Sequence, residues 1–354
     1  MRNFSNRLIL WYKQAHRALP WRNTTDPYKI WLSEVIMQQT RVQQGLAYYL
    51  KFEKRFPDLV SLAEASEDEV YKLWQGLGYY NRAQNLMHAA RALVKNYDGK
   101  FPRDPEELIK IKGIGSYTAA AVASIAFGKR IPVVDGNVFR VLSRAFGITT
   151  PVHTAKAKNE FASLAGKLMA NHPPGTFNQA LMEFGALWCK PKNPDCGNCI
   201  FFKDCFARIN GQVQHLPVKK VKTPVKNRFF YYVVAEDHNE KILLQKRGKK
   251  DIWRNLYEFP VIEPALKSEP LKMLAQPPVR KLFSGLKYVV KDISEEYVHL
   301  LTHQRIHAVF MHIFVENFPE MPDEKTLFLV HKNDIEKYPV PRLLERYLLE
   351  HKLI

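Results

Sequence analysis

The chain has 354 residues, of which 46% are hydrophobic and 25% charged. Those proportions belong to an ordinary globular protein of two or three domains, and no apolar run approaches the length needed to span a membrane. The formal net charge is +18, most of it in residues 1–225 and little in 226–354. That asymmetry points to a polyanionic partner, nucleic acid first and an acidic membrane surface second.

The N-terminal stretch "MRNFSNRLILWYKQAHR" reads as an amphipathic helix and lacks the long apolar core and cleavage site of a signal peptide. A cytoplasmic protein is therefore expected, in which stable disulfides are not. In "DPYKIWLSEVIMQQTRV" (26–42), Asp26 and Pro27 form a helix start, cap then first turn. Glu34 lies four residues after Ile30 and three after Trp31, on or beside the apolar stripe. Spacing alone favours a surface glutamate at the helix edge. A carboxyl facing that stripe would instead have a raised pKa and suit general-acid work. Helical periodicity continues through "EVYKLWQGL", "NLMHAARALVKNY" and "AKNEFASLAGKLM", punctuated by Gly and Pro.

"ELIKIKGIGSYTAAAVASIAF" (107–127) reads as helix, tight turn, Ala-rich helix. Gly113 and Gly115 allow positive φ and close backbone approach, and the turn opens onto a helix N-terminus suited to a phosphate. An ordinary helix corner is the alternative; the local basic excess favours phosphate. Twenty residues further, Asp135 of "VVDGNVFRVLSR" is an N-cap whose ionised form a helix dipole favours. All four cysteines, Cys189, Cys196, Cys199 and Cys205, fall in "CKPKNPDCGNCIFFKDC" with spacing C-x6-C-x2-C-x5-C. Zinc sites usually show two well-separated close pairs, so this spacing favours an iron–sulfur cube while leaving zinc open. Residues 211–227 read as a linker. Beyond them "RFFYYVVAEDHNEKILLQKR" and "HAVFMHIFVE" are strand-like and "PRLLERYLLEH" is an amphipathic helix, so 228–354 forms a separate α+β domain. His299, His303 and His307 do not converge on a β-rich segment, and a metal site there is not expected.

The hairpin followed by "IPVVDGNVFRVLSR" resembles the helix–hairpin–helix DNA glycosylase superfamily, and the cysteine spacing matches its endonuclease III and MutY branch. "LPWR" (19–22), "SEVIMQQTRV" (33–42) and "WQGLGYYNRAQNL" (74–86) resemble the adenine-specific MutY family. The resemblance implies a mainly α, two-lobed catalytic region over 1–210. One lobe is about 23–134 and the other is 1–22 plus 135–210. It implies a [4Fe–4S] cluster on the four cysteines, structural rather than redox-catalytic, and a Nudix-like domain over 228–354.

It further implies that Glu34 protonates the adenine at N7 and that Asp135 steadies or transiently bonds the sugar cation, supported by Tyr117 and Asn137. Arg22 would border the adenine pocket. Gln39 and Tyr79 would fill the gap left by the extruded base, and Gly113 and Gly115 would grip the backbone. Tyr117 stands where bifunctional relatives carry a nucleophilic lysine, so no lysine-based lyase is expected. In the tail, "DIWRNLYEFP" (251–260) is similar to a Nudix-domain element, but no glutamate-rich metal motif follows Pro260, so base reading without nucleotide hydrolysis is expected. Leu301-Thr302-His303 is the likeness of the family's lesion-reading loop, with Leu301 and the following Gln304-Arg305 as departures. The implied partner is double-stranded DNA with adenine opposite 8-oxoguanine or guanine, met by a monomer in the bacterial cytosol. A pyrimidine- or G:T-specific relative, or a non-catalytic iron–sulfur DNA-binding protein, are the alternatives.

Overall fold

The computed structural model describes residues 3–219, 224–248, 251–318 and 327–354. The chain divides into two compact units, Met1–Ala65 with Asn81–Val221, and Ser66–Tyr80 with Lys222–Ile354. Among the described residues no helix is long and apolar enough to cross a membrane.

Helices follow in the order α1 (Phe4–Ala15), α2 (Pro27–Met37), α3 (Val42–Arg55), α4 (Leu59–Glu64), α5 (Glu67–Trp74), α6 (Asn81–Asn96), α7 (Pro105–Lys110), α8 (Ser116–Ile125), α9 (Gly136–Phe146), α10 (Ala155–Met169), α11 (Pro174–Leu187) and α12 (Phe206–Ile209). All but α5 belong to the first unit. Their ends are set by local chemistry. The Asp26 carboxylate accepts the Tyr28 N–H at 2.8 Å with Pro27 in the first turn, and Asp135 likewise caps α9. α8 is built from small residues, "SYTAAAVASI", and this lets it pack closely against α2, α7 and α11. Elsewhere in the unit α1, α9, α10 and α11 bury Phe161, Phe177 and Phe184, and Phe4 stacks on Phe201 at 4.4 Å.

The second unit is built on a sheet. Strand β1 (Lys226–Glu236) runs parallel to β7 (Gln304–Val315) along its whole length. β1 also pairs with β2 (Lys241–Lys246) and β4 (Val261–Ile262), and β2 pairs with β3 (Tyr257–Glu258) and β8 (Leu327–His331). β5 (Tyr288–Ile293) and β6 (Tyr297–Leu300) both lie antiparallel to β7. β1 alternates between two apolar layers. Phe230, Tyr232 and Val234 face a cluster with Phe310 and the terminal helix (Arg342–Glu350), while Tyr231, Val233 and Ala235 face one with Met273 and Phe283. A sheet covered on both faces explains why "RFFYYVVAE" is apolar almost without interruption.

Two boundaries differ from the sequence reading. Residues 66–80, expected within the helical region 1–210, group with the sheet unit. There the Asp68 carboxylate accepts from Lys246 Nζ at 3.2 Å and from the Tyr257 hydroxyl at 2.9 Å, and Gln75 Nε2 donates to Glu345 Oε1 at 3.0 Å. Helical periodicity identifies α5 but carries no record of these long-range polar partners. Of the expected linker 211–227, residues 220–223 lie outside the described residues. Arg144 Nε donates to the Leu216 carbonyl and the Val152 N–H to that of Val218, tying 216–218 to the first unit, and β1 already begins at Lys226.

Candidate active site

α2 and α8 bring Glu34 and Tyr117 together, and the Tyr117 hydroxyl donates to Glu34 Oε2 at 2.6 Å. Burial pushes the Glu34 carboxyl up to about 7; Tyr117 and Arg22 lower it, and the nearby Asp135 charge raises it. A carboxyl so placed is protonated in about half of the molecules at neutral pH, which suits a general acid. Burial also raises the tyrosine's pKa well above its ordinary value, so Tyr117 stays a neutral donor.

Asp135 is partly buried at the start of α9. Its Oδ1 accepts the Val138 N–H at 2.7 Å, and its Oδ2 accepts from Asn137 Nδ2 at 2.7 Å. Burial raises its pKa while these donors and Arg140 lower it. Charge-stabilising donors converge on Asp135, and a single phenol on Glu34. The two carboxyls therefore sit in unequal environments, Asp135 among donors that favour its charged form and Glu34 held up mainly by burial. Asn137 is itself fixed, because its Oδ1 accepts from Arg140 Nη2 at 2.7 Å. Arg140 Nε donates in turn to the Cys189 carbonyl at 2.7 Å, giving a continuous hydrogen-bonded chain from Asp135 to the cysteine loop. A methyl group at Gly185 of α11 would lie 2.6 Å from the Asn137 Cβ, so only glycine permits this approach.

Arg22 sits in a short turn (Pro20–Arg22) beside this pair, and its orientation is set by a residue that the sequence reading did not single out. Glu183 of α11 is 1% exposed and accepts from Arg22 Nη1 (2.8 Å) and Nη2 (2.5 Å) and from Arg17 Nε (2.8 Å) and Nη2 (2.5 Å). Burial alone would raise its pKa, but the bonds from Arg17 and Arg22 outweigh this and hold it at about 2. The signal was present in "NQALMEFGALW", a lone carboxylate in an apolar helix, the same pattern as around Glu34.

The four thiols line one cavity together with Arg144, Phe184, Trp188, Phe201 and Arg208. Among the described residues no three His, Cys, Asp or Glu side chains are drawn together tightly enough to hold a single ion. The donor set fits a cluster: four partly exposed thiols, an apolar wall, and donors already aimed at sulfur. Phe201 N–H reaches Cys199 Sγ at 3.3 Å and Arg144 Nη1 reaches Cys189 Sγ at 3.5 Å. Lys190, Lys192 and Lys203 of the same loop are exposed.

In the hairpin, only Gly113 has positive φ, at 105°, where a side chain would strike the Asn85 carbonyl in α6. Gly115 has φ −85° and does not use the positive-φ freedom that glycine allows. It is the N-cap of α8 and has no capping side chain, so the first N–H groups of that helix lack a side-chain cap. Gln39 is exposed and left-handed (φ 56°).

In the second unit Tyr79 is also left-handed (φ 49°), and its hydroxyl lies 3.0 Å from Thr302 Oγ1. Thr302 and His303 are exposed at the tip of the β6–β7 turn. The turn is closed by Leu301 N–H to the Gln304 carbonyl, and it is tied to β1 by Lys226 N–H to the His303 carbonyl. Gln304, a departure from the family pattern, has a structural partner, since Arg228 Nη1 donates to its Oε1 at 3.1 Å.

Residues 32–167 match the HhH-GPD superfamily of base excision DNA repair proteins, and 231–350 match the NUDIX domain. Of solved structures, a thermostable thymine-DNA glycosylase aligns at TM-score 0.53 and 29% identity over 58% of this chain and 95% of that one. A non-covalent endonuclease III–DNA complex, at TM-score 0.52 and 21% identity over 59% and 95%, shares the fold. The human adenine DNA glycosylase is 42% identical over 60% of this chain and 41% of its own length. That of Buchnera aphidicola (subspecies Schizaphis graminum) is 35% identical over 75% of this chain and 76% of that one. Likeness sustained across three quarters of both chains means that the chain belongs to the adenine DNA glycosylase (MutY) family.

Proposed function

We propose that this enzyme, a DNA N-glycosylase removing adenine in base excision repair, acts on adenine opposite 8-oxoguanine or guanine, and does so without lyase chemistry. The observation that carries the reading is the pair of carboxyls in unequal environments, with a phenol where a lyase needs an amine. The target nucleotide is extruded from the duplex. Glu34 gives its proton to N7 of adenine, weakening the bond to the sugar. Asp135 faces the oxocarbenium-like sugar as charge develops, and water completes the hydrolysis. Tyr117 orients Glu34, and Asn137 orients Asp135. Arg22, held by Glu183, borders the base.

Gln39 and Tyr79 fill the vacated stack, the hairpin at Gly113 and Gly115 binds phosphate, and Thr302 and His303 meet the lesion. Cys189, Cys196, Cys199 and Cys205 would hold a [4Fe–4S] cluster, which when bound supplies a structural cross-link to the loop carrying the exposed lysines. We read the protein as a cytosolic monomer. In an activity assay, duplexes with A:8-oxoguanine, A:G, G:T or thymine glycol are incubated with the protein and then treated with hot alkali. Breaks in the adenine strand alone, appearing only after alkali, are expected. Breaks before alkali, or at a pyrimidine, would overturn the reading. Purified protein is expected to be brown, with about four irons per chain; a colourless protein with stoichiometric zinc would reject the cluster.

A further inference from the structure

Arg82, in α6, is 7% exposed. Its Nη1 lies within hydrogen-bond reach of four acceptors: the carbonyls of Val35 (3.1 Å), Ile36 (2.8 Å) and Gln38 (2.5 Å), and the Thr40 hydroxyl (3.2 Å). The carbonyls belong to the end of α2, where a helix leaves acceptors without partners and concentrates partial negative charge. One nitrogen has two hydrogens, so the four share them, and the guanidinium acts as a cation seated in a nest of oxygens. Between Gln38 and Thr40 of that nest lies Gln39, whose left-handed backbone is strained for a residue that is neither glycine nor asparagine.

Both flanks of Gln39 are pinned. Thr40 N–H donates to the Met37 carbonyl at 3.1 Å, and Gln38 Nε2 donates to Thr118 Oγ1 of α8 at 3.2 Å. The backbone around Gln39 is thus fixed from α6 and α8 while its own side chain is exposed. Strain that a local sequence would not choose persists only when surrounding contacts over-determine it, and here the contact that spans the whole turn is Arg82.

We propose that Arg82 is a positioning residue that holds the Gln38-Gln39-Thr40 turn in its strained form, so that Gln39 is presented ready to enter the base stack before DNA arrives. The inference rests on the reading of Gln39 as the wedge. Lysine at 82 would keep the charge, but its ammonium sits on a shorter stem than Nη1 and does not reach the same set of acceptors.

The test measures base extrusion rather than turnover, in full-length protein carrying Glu34→Gln to block cleavage. A duplex with 2-aminopurine at the target position brightens as the base leaves the stack, and stopped flow gives the rate. Arg82→Lys is expected to slow brightening by about tenfold, with affinity for undamaged duplex within about twofold, and to add nothing to a Gln39→Ala change. Thr40→Val, which removes that acceptor and the hydroxyl's own bond to the Gln38 carbonyl, should slow extrusion in the same direction and serves if Arg82→Lys does not fold. If Gln39→Ala slows extrusion but Arg82→Lys and Thr40→Val do not, the positioning role is wrong. If Arg82→Lys slows extrusion equally with and without the Gln39 side chain, Arg82 acts on the fold at large and the proposal also falls. If Gln39→Ala itself changes nothing, it is the wedge reading that fails.

Discussion

Replacing Glu34 with glutamine is expected to cut single-turnover adenine release on the order of a thousandfold while duplex affinity changes little. Glutamine has nearly the same shape, and its amide oxygen can still accept from the Tyr117 hydroxyl, so α2 and α8 need not move. What it cannot do is give a proton to the departing base. The environment shows how much that proton matters. With a carboxyl at its ordinary value of 4.5, well under one molecule in a hundred would be protonated at pH 7, whereas at about 7 roughly half are, a gain of about a hundredfold. The sign of the pH dependence follows. The protonated form of Glu34 is the active one, so the single-turnover rate should fall by about tenfold per unit above the Glu34 pKa; because burial raises Asp135, whose charged form is required, the rate should fall again at acid pH. A rate that instead rises through pH 7 would mean that Glu34 works as a base, and the assignment of acid and stabiliser would have to be exchanged.

The capping position of Asp135 was legible because helix caps are written within four residues, whereas the spacing around Glu34 alone favoured a surface glutamate and only the family resemblance singled it out. Strand β7 and the terminal helix were legible because their burial follows a local period, and β1 because its near-continuous apolar run reads as a strand covered on both faces. What the sequence hid is held by residues far apart in the chain. Glu183 meets Arg17 across 166 positions, Arg82 meets Gln38 across 44, and Asp68 meets Lys246 across 178. A charged residue's partner leaves no periodic trace, so its burial reads as noise until the fold pairs it. The grouping of residues 66–80 with the sheet unit is the largest consequence. Gly115 illustrates a finer limit. Two glycines at a turn announce a tight backbone, but their spacing does not say that Gly113 alone takes the left-handed conformation while its neighbour merely caps a helix.

Asp135→Asn is expected to be as damaging as Glu34→Gln, for reasons that can be told apart by experiment. Asparagine is a good N-cap, so α9 keeps its first turn and the fold survives. Its side-chain oxygen can replace Oδ1 in accepting from the Val138 N–H, but its amide nitrogen then faces Asn137 Nδ2, donor against donor. Asn137 cannot turn its oxygen round to relieve this, because that oxygen is already held by Arg140 Nη2. The negative charge opposite the sugar disappears, and with it one of the influences that raises the Glu34 carboxyl, so the acid is also ionised over a larger part of the neutral range. Loss of one preorganised electrostatic partner typically costs about a hundred- to a thousandfold, and the weakened acid adds to it. The electrostatic part can be isolated without turnover. A duplex carrying a cationic pyrrolidine in place of the target sugar mimics the charge that develops in the transition state. Glu34→Gln should still bind it tightly, whereas Asp135→Asn should lose on the order of a hundredfold in affinity for it, but not for unmodified duplex. Equal binding of the cationic duplex by the parent and Asp135→Asn would show that the carboxylate does not face the sugar, and the division of labour between the two acids would not stand.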